Sequence, residues 1–336
     1  MKEEIPDYMF KNLDRNIYLF FRFIGRGFYR QFFALPIGFI YCCIKFRNRN
    51  VVYVLVCDHI GDTLFSLGYL KAFCEKENIN RLAFVTTAHL MELTELYQGV
   101  IDERVVVCRY LIHLILDGHQ TRIGILMYRQ IDNFVIVEPA NYVVGGFEFI
   151  CKFPQVQLID LIRYGVLGLD STAQYMYPVY PVQAGIQEKG KVKVVLSPES
   201  QVTDALPKMY FISLANELLA KGYDVYTNIS SSNGGLIPGT KPFCYGLIRL
   251  FELVQAENIC FIGIRSGLLD LVQHAGGVVI ALYPKLSKFQ HFYAMGQGVL
   301  KGSSASQYTV TGVIQEDIRN ILGLFMCLQE RGSLLR

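Results

Sequence analysis

The chain contains no Cys-x-x-Cys pair, no Asp-x-Asp, no apolar run of bilayer-crossing length, and no acidic residue between Arg15 and Asn50. Its nine cysteines are scattered, with only Cys42-Cys43 adjacent, which argues against a zinc site and for a reducing, cytoplasmic setting. Cys57, Cys74, Cys108 and Cys260 lie in or beside apolar runs, where free cysteine is a common small core residue. Charged residues make up only 18% of the chain against 52% hydrophobic, which excludes disorder and permits large cores. A net charge of +3 gives no footprint for nucleic acid. The start, MKEEIPDYMF, is polar and acidic, unlike a cleavable signal peptide. The 336 residues suit two domains by the usual prior of roughly 150 residues each.

What is present is unevenly placed. Between Arg15 and Asn50 stand seven Lys/Arg (Arg15, Arg22, Arg26, Arg30, Lys45, Arg47, Arg49). Arg22, Arg26 and Arg30 recur every four residues and form one basic stripe on a helix, with Phe20, Phe21, Phe23, Ile24, Phe28, Phe32 and Phe33 over most of the rest. The arm's longest uncharged run, Gln31 to Ile44, is 14 residues and contains Pro36, short of the ~20 residues that cross a bilayer. A basic, aromatic amphipathic arm over 1–48 is expected to lie at an anionic membrane surface. The plainer alternative is a helix packed on the protein's own core.

Beyond the arm, apolar runs alternate with helical patterns. Strands are predicted at 51–57, 82–87, 104–108 and 134–138, with helices at 63–76, 88–98 and 109–116. Residues 171–190, with two prolines, read as a linker. The alternation restarts with strands at 192–197, 223–229, 258–263 and 277–283, helices at 207–221, 246–255 and 267–275, and a closing helix at 315–330. Continuous β-branched runs fit strands buried on both faces of parallel sheets. The expectation is therefore α/β, with two Rossmann-like doubly wound domains facing a cleft: 49–175 and 176–314, followed by a C-terminal helix over 315–336.

Three stretches could carry chemistry. In CDHIGDTLFSLGYLKAF (57–73) Asp62 follows the first strand near a helix start, where free N–H groups favour an anion. Gly61 permits a tight turn beside it, with His59 and Thr63 flanking. The bland alternative for Asp62 is helix capping. In NICFIGIRSGLLDLVQHAGGVVIALY (258–283) a strand ends at Arg265-Ser266-Gly267 and a helix begins at once, an anion site with a forked cation beside it. Asp270 would bond a sugar hydroxyl or pair with Arg265 as a structural ion pair. The loop SPESQVTD after the strand at 192–197 offers Ser197 and Ser200, with Lys208, Lys285 and Lys288 as further cations.

Together these stretches resemble glycosyltransferase family 9, the ADP-heptose:lipopolysaccharide heptosyltransferase-like group. The match lies in the Gly-Asp turn and helix (HIGDTLFSLGYLKAF), the VVLSPES strand and loop with the helix and strand LPKMYFISLANELLAKGYDV, and the block ICFIGIRSGLLDLVQHAGGVVIALY. The resemblance implies the GT-B architecture, Asp62 as catalytic base, and Ser266 and Gly267 as donor contacts. The chain departs from the pattern with Arg265 in place of Asp, Asp270 in place of His, Asp204 in place of Lys and Gly68 in place of Pro, which implies a changed donor site. The implied activity is transfer of a sugar from a nucleotide-diphosphate sugar to a glycan or lipid-linked acceptor in bacterial surface-polysaccharide assembly. It would be inverting, without metal or cofactor, at the cytoplasmic face of the inner membrane. The same residues leave two other readings open: a nucleotide-sugar epimerase, or an inactive membrane-bound partner of another transferase.

Overall fold

A computed structural model describes residues 25, 27–138, 156–180, 192–200, 205–229, 235–284, 295 and 305–334. Two all-parallel sheets form the frame. The first joins β1 (Val52–Val56), β2 (Leu82–Thr86), β3 (Glu103–Val106) and β4 (Phe134–Val137) in the order β3-β2-β1-β4. The second joins β5 (Lys193–Ser197), β6 (Asp224–Asn228), β7 (Lys241–Phe243), β8 (Ile259–Ile264), β9 (Val278–Tyr283) and β10 (Ala305–Thr309) in the order β10-β9-β8-β5-β6-β7. Strands β2 and β8 are buried at every residue because helices cover both faces, which is why they read as unbroken apolar runs.

The helices are α1 (Gly27–Lys45), α2 (Ile60–Glu77), α3 (Arg109–His119), α4 (Arg122–Tyr128), α5 (Lys208–Ala220), α6 (Leu247–Ala256), α7 (Gly267–His274) and α8 (Ile314–Leu334). Residues 88–98 were expected as one helix; a short α-turn instead tightens into a 3-10 turn ending at Leu96. Three elements carry little sequence signal. Strand β7 is a three-residue edge containing Pro242, tolerated there because an edge strand need not donate on both sides. Strand β10 is a half-exposed edge, and α4 has only seven residues. Of the predicted linker, 171–180 is extended and docked: Met176 donates its N–H to Gly68 at 2.8 Å, and Val179 to Leu96 at 2.9 Å. The remainder of that linker, and Asp204, Lys285 and Lys288, lie outside the described residues.

The arm differs from expectation. Arg22 and Arg26, two of the three residues of the expected basic stripe, lie outside the described residues; Arg30 is bound to Asp117 at 3.0 Å, and α1 as described is not clearly amphipathic. Its inward side is small (Ala34, Gly38, Cys42) around Leu35, while Phe28, Phe32, Phe33, Ile37, Ile40 and Ile44 face out. By length and composition its 19 residues are long and apolar enough to cross a membrane, which the 14-residue uncharged run did not suggest. The inward side packs on α3 at backbone distance: a Cβ on Gly118 would lie 2.7 Å from Leu35 Cα, and one on Gly38 would lie 2.5 Å from the Tyr128 hydroxyl. Gly118→Ala is therefore expected to lower stability in urea unfolding by about 1–3 kcal/mol through overpacking, despite alanine's better helix propensity. Limited proteolysis of that variant should release the arm first.

Candidate active site

One strand from each sheet meets the cleft in the same way, a strand running straight into a helix. From β1 the chain passes through Cys57-Asp58-His59 into α2, and from β8 through Arg265-Ser266 into α7. His59 and Ser266 hold the N-cap positions in extended conformation (φ −131° and −152°), but neither side chain makes a capping bond. Asp62 is thus not the cap; it stands in the first turn of α2. The two helix starts touch. A Cβ on Gly267 would sit 2.5 Å from Gly61 N, and one on Gly61 would sit 2.7 Å from Asp270 Oδ2. The space beside the turn at Gly61 is filled by α7.

Around this junction opens a cleft of about 1080 Å³, lined on one side by Asp58, His59 and Asp62 and on the other by Ser197, Ser200, Arg265 and Ser266. Burial raises the Asp62 pKa; His59, a 2.9 Å bond from the Cys57 thiol and Arg265 pull it back in part. Asp270 is held up to about 6 by burial, against the opposing pull of Arg265, whose guanidinium donates to its Oδ1 at 2.8 Å. Asp270 Oδ2 and the Ser266 hydroxyl are buried without a hydrogen-bond partner among the described residues. Arg265 is only 5% exposed, so the cation expected to clamp a ligand directly is already engaged with Asp270. Ser200 Oγ donates to the Arg265 carbonyl at 2.9 Å, and Ser197 Oγ accepts from Asn228 at 3.3 Å. Thr63, read as flanking the turn, points into the core with no exposure and does not line the cleft.

Asp58, not singled out from the sequence, is the hub of the cleft's other wall. Its buried carboxylate accepts from Thr87 Oγ1 at 2.7 Å and pairs with Arg109 Nε at 2.5 Å. His89 Nε2 lies at 3.4 Å and His113 Nε2 at 3.9 Å from it. Arg109 and His113, four apart on α3, were the available signal, since that spacing puts both on one helical face. Deeper along the same wall His119 and Gln120 meet Glu138, at 3.6 and 2.5 Å. Among the described residues no cluster of three or more His, Cys, Asp or Glu is arranged to hold a metal ion.

Solved structures share this architecture, two of them as follows. A glycosyl transferase of family 9 from Veillonella parvula is 16% identical, with TM-score 0.50, covering 79% of this chain and 87% of that one. The ADP-heptose LPS heptosyltransferase II of E. coli is 12% identical, with TM-score 0.58, covering 84% of this chain and 99% of the other. The fold is the GT-B fold of the family 9 glycosyltransferases. No protein-family model and no curated protein matches the chain.

In this GT-B frame the linker is wedged between the domains. Tyr175 donates its hydroxyl to His274 Nε2 at 2.7 Å, because His274 Nδ1 carries its proton to the Asp270 carbonyl at 2.7 Å. The Tyr175 ring fills the space above Gly68, where any Cβ would overlap it. Glu92 reaches across to accept from the Leu247 N–H at 3.1 Å, capping α6 of the other domain.

These buried groups make stability depend on pH in opposing ways. Burial lowers the His274 pKa from 6.5 to about 4, so its contribution is lost as pH falls from 6.5 towards 4. The Asp270 pKa is raised from 3.8 to about 6, so its contribution is present at low pH and lost as pH rises towards 6. Asp62 adds to the second trend. The two largely offset each other in the intact protein. In His274→Gln the carboxylate trend is unmasked, and urea midpoints should fall as pH rises from about 4 to 6, by up to about 1.4 kcal/mol per unit. A profile parallel to the wild type would refute the opposition.

Proposed function

We propose that the protein is a glycosyltransferase that moves a sugar from a nucleotide-diphosphate sugar to a glycan or lipid-linked acceptor, without a metal and with inversion. One observation carries the reading: the two strand-to-helix turns converge on one cleft, with Asp62 from one domain facing the Arg265-Ser266-Gly267 helix start of the other. The E. coli neighbour is named for ADP-heptose and lipopolysaccharide, which supports a nucleotide-diphosphate donor and a surface-glycan acceptor here without fixing the sugar.

Asp62 accepts the proton of the attacking acceptor hydroxyl. Its raised pKa makes it a stronger base than an exposed carboxylate, and the Cys57 thiol orients it. As the hydroxyl oxygen bonds to the sugar's anomeric carbon, the bond to the donor phosphate breaks and the diphosphate leaves with its electrons. The start of α7 supplies backbone N–H groups and a positive helix end to that charge. Arg265 adds its cation from behind, through a guanidinium already fixed by Asp270, while the Ser266 hydroxyl reaches a donor oxygen. The Asp58, His89 and His113 wall faces the acceptor side. The arm holds the enzyme at the cytoplasmic face of the inner membrane, where lipid-linked acceptors lie.

Purified protein screened against a panel of nucleotide sugars is expected to show a thermal shift with at least one, and sugar transfer or slow donor hydrolysis with the same one. No shift with any donor would sink the reading, and a shift without turnover would leave an inactive donor-binding partner. With the donor found, Asp62→Asn should keep the thermal shift while kcat falls by roughly 10²–10⁴, the usual worth of a general base.

A further inference from the structure

The outward sides of α1 and α4 form one apolar surface. On α1 it runs through Phe28, Phe32, Phe33, Ile37, Ile40 and Ile44. On α4 it continues with Ile123 and Leu126, the latter 64% exposed. The two helices are joined through Tyr128, whose ring meets Phe39 edge-on at 5.7 Å and whose hydroxyl sits in the notch at Gly38. Lys45, Arg47, Arg49, Arg122 and Arg129 are all exposed there; the nearby acids are Asp117, paired with Arg30, and a single exposed one, Asp132. Arg122, Leu126 and Arg129 recur at i, i+4 and i+7, so cations bracket the apolar side of α4.

A contiguous apolar patch with a rim of one charge is a docking surface, not ordinary surface scatter. The rim's excess of cations, five exposed against one exposed acid, matches anionic headgroups, and the aromatic and aliphatic side chains match the boundary beneath them. Two further facts fix the geometry. The opposite side of α1 (Ala34, Leu35, Gly38, Cys42) is committed to α3 at backbone distance, so the helix cannot leave the body to span a bilayer without opening that packing. Arg30, on the same helix, lines the cleft beside Asp117.

We propose that α1 and α4 together seat the protein in the plane of an anionic leaflet, and that the cleft opens onto that plane at Arg30. The acceptor then reaches Asp62 from the membrane side, its anchor still in the leaflet. The seating stands by itself; only the identity of what enters the cleft rests on the glycosyl-transfer reading.

The chain has no tryptophan, so one introduced residue reports alone. Full-length Ile37→Trp, Leu126→Trp and Met209→Trp, all at exposed positions, would be mixed with phosphatidylcholine–phosphatidylglycerol vesicles carrying brominated acyl chains. Ile37→Trp and Leu126→Trp should both be quenched at similar, shallow depth, and Met209→Trp should not. Removing phosphatidylglycerol, or introducing Ile123→Glu with Leu126→Glu, should weaken vesicle binding on the order of tenfold. Quenching of Ile37→Trp with none at Leu126→Trp would overturn the two-helix surface and leave the arm alone as the anchor. Quenching of Ile37→Trp at the bilayer centre would overturn in-plane seating in favour of a span. If neither is quenched the membrane seating fails altogether, and donor hydrolysis by the same preparation tells whether the catalytic reading survives it.

Discussion

The contact between Gly61 and Gly267 is the constraint on which the rest of the site depends. Two helix starts meet there with no side chain between them, so two positive helix ends converge at the floor of the cleft. Such an arrangement repels itself unless negative charge is supplied nearby, and each helix supplies one carboxylate in its first turn, Asp62 and Asp270. The same closeness buries both acids and raises both pKa values, leaving Arg265 as the cation that keeps the pair tolerable. A methyl group at either glycine would push the domains apart and dissolve the cleft's chemistry along with its shape.

The linker makes this contact durable. Tyr175 occupies the space that Gly68 leaves on α2 and bonds to His274 on α7, so one residue between the domains grips both helices whose starts touch. This gives a physical meaning to one departure from the family 9 pattern: a proline ring at position 68 would collide with the tyrosine. Glycine there and tyrosine at 175 are two halves of one joint.

How much of this was legible follows from the range of each interaction. Strands β1, β2, β5, β8 and β9 were read from the sequence within a residue or so, because burial on both faces writes itself into consecutive residues. The turns that carry Asp62, Ser266 and Gly267 were legible because a strand-to-helix turn is local. Their surroundings were not, since the Gly61–Gly267 approach joins residues some two hundred positions apart. Arg265 and Asp270 were legible as a pair, yet whether the arginine would face a ligand or a carboxylate turned on burial that the local pattern does not encode. The arm was legible as apolar and basic; that its small residues commit it to α3 depended on Gly118, far along the chain.

The three carboxylates near the junction are not equivalent, and their partners assign them. Asp58 has one oxygen accepting from Thr87 and the other ion-paired with Arg109, so accepting a further proton would weaken that pair. Asp270 has one oxygen held by Arg265 and the other turned to the Gly61 backbone, inside the domain contact. Asp62 alone combines a place on the cleft wall, a single weak thiol donor and a carboxylate made more basic by burial. A base needs an open lone pair, access to the hydroxyl and an affinity for protons above that of an ordinary carboxylate. Asp58 is held by its ion pair with Arg109, and Asp270, though it lines the cleft, is held by Arg265. On the proposed glycosyl-transfer reading the proton would go to Asp62, while Asp58 anchors the opposite wall through Thr87 and Arg109 and Asp270 holds Arg265 in place.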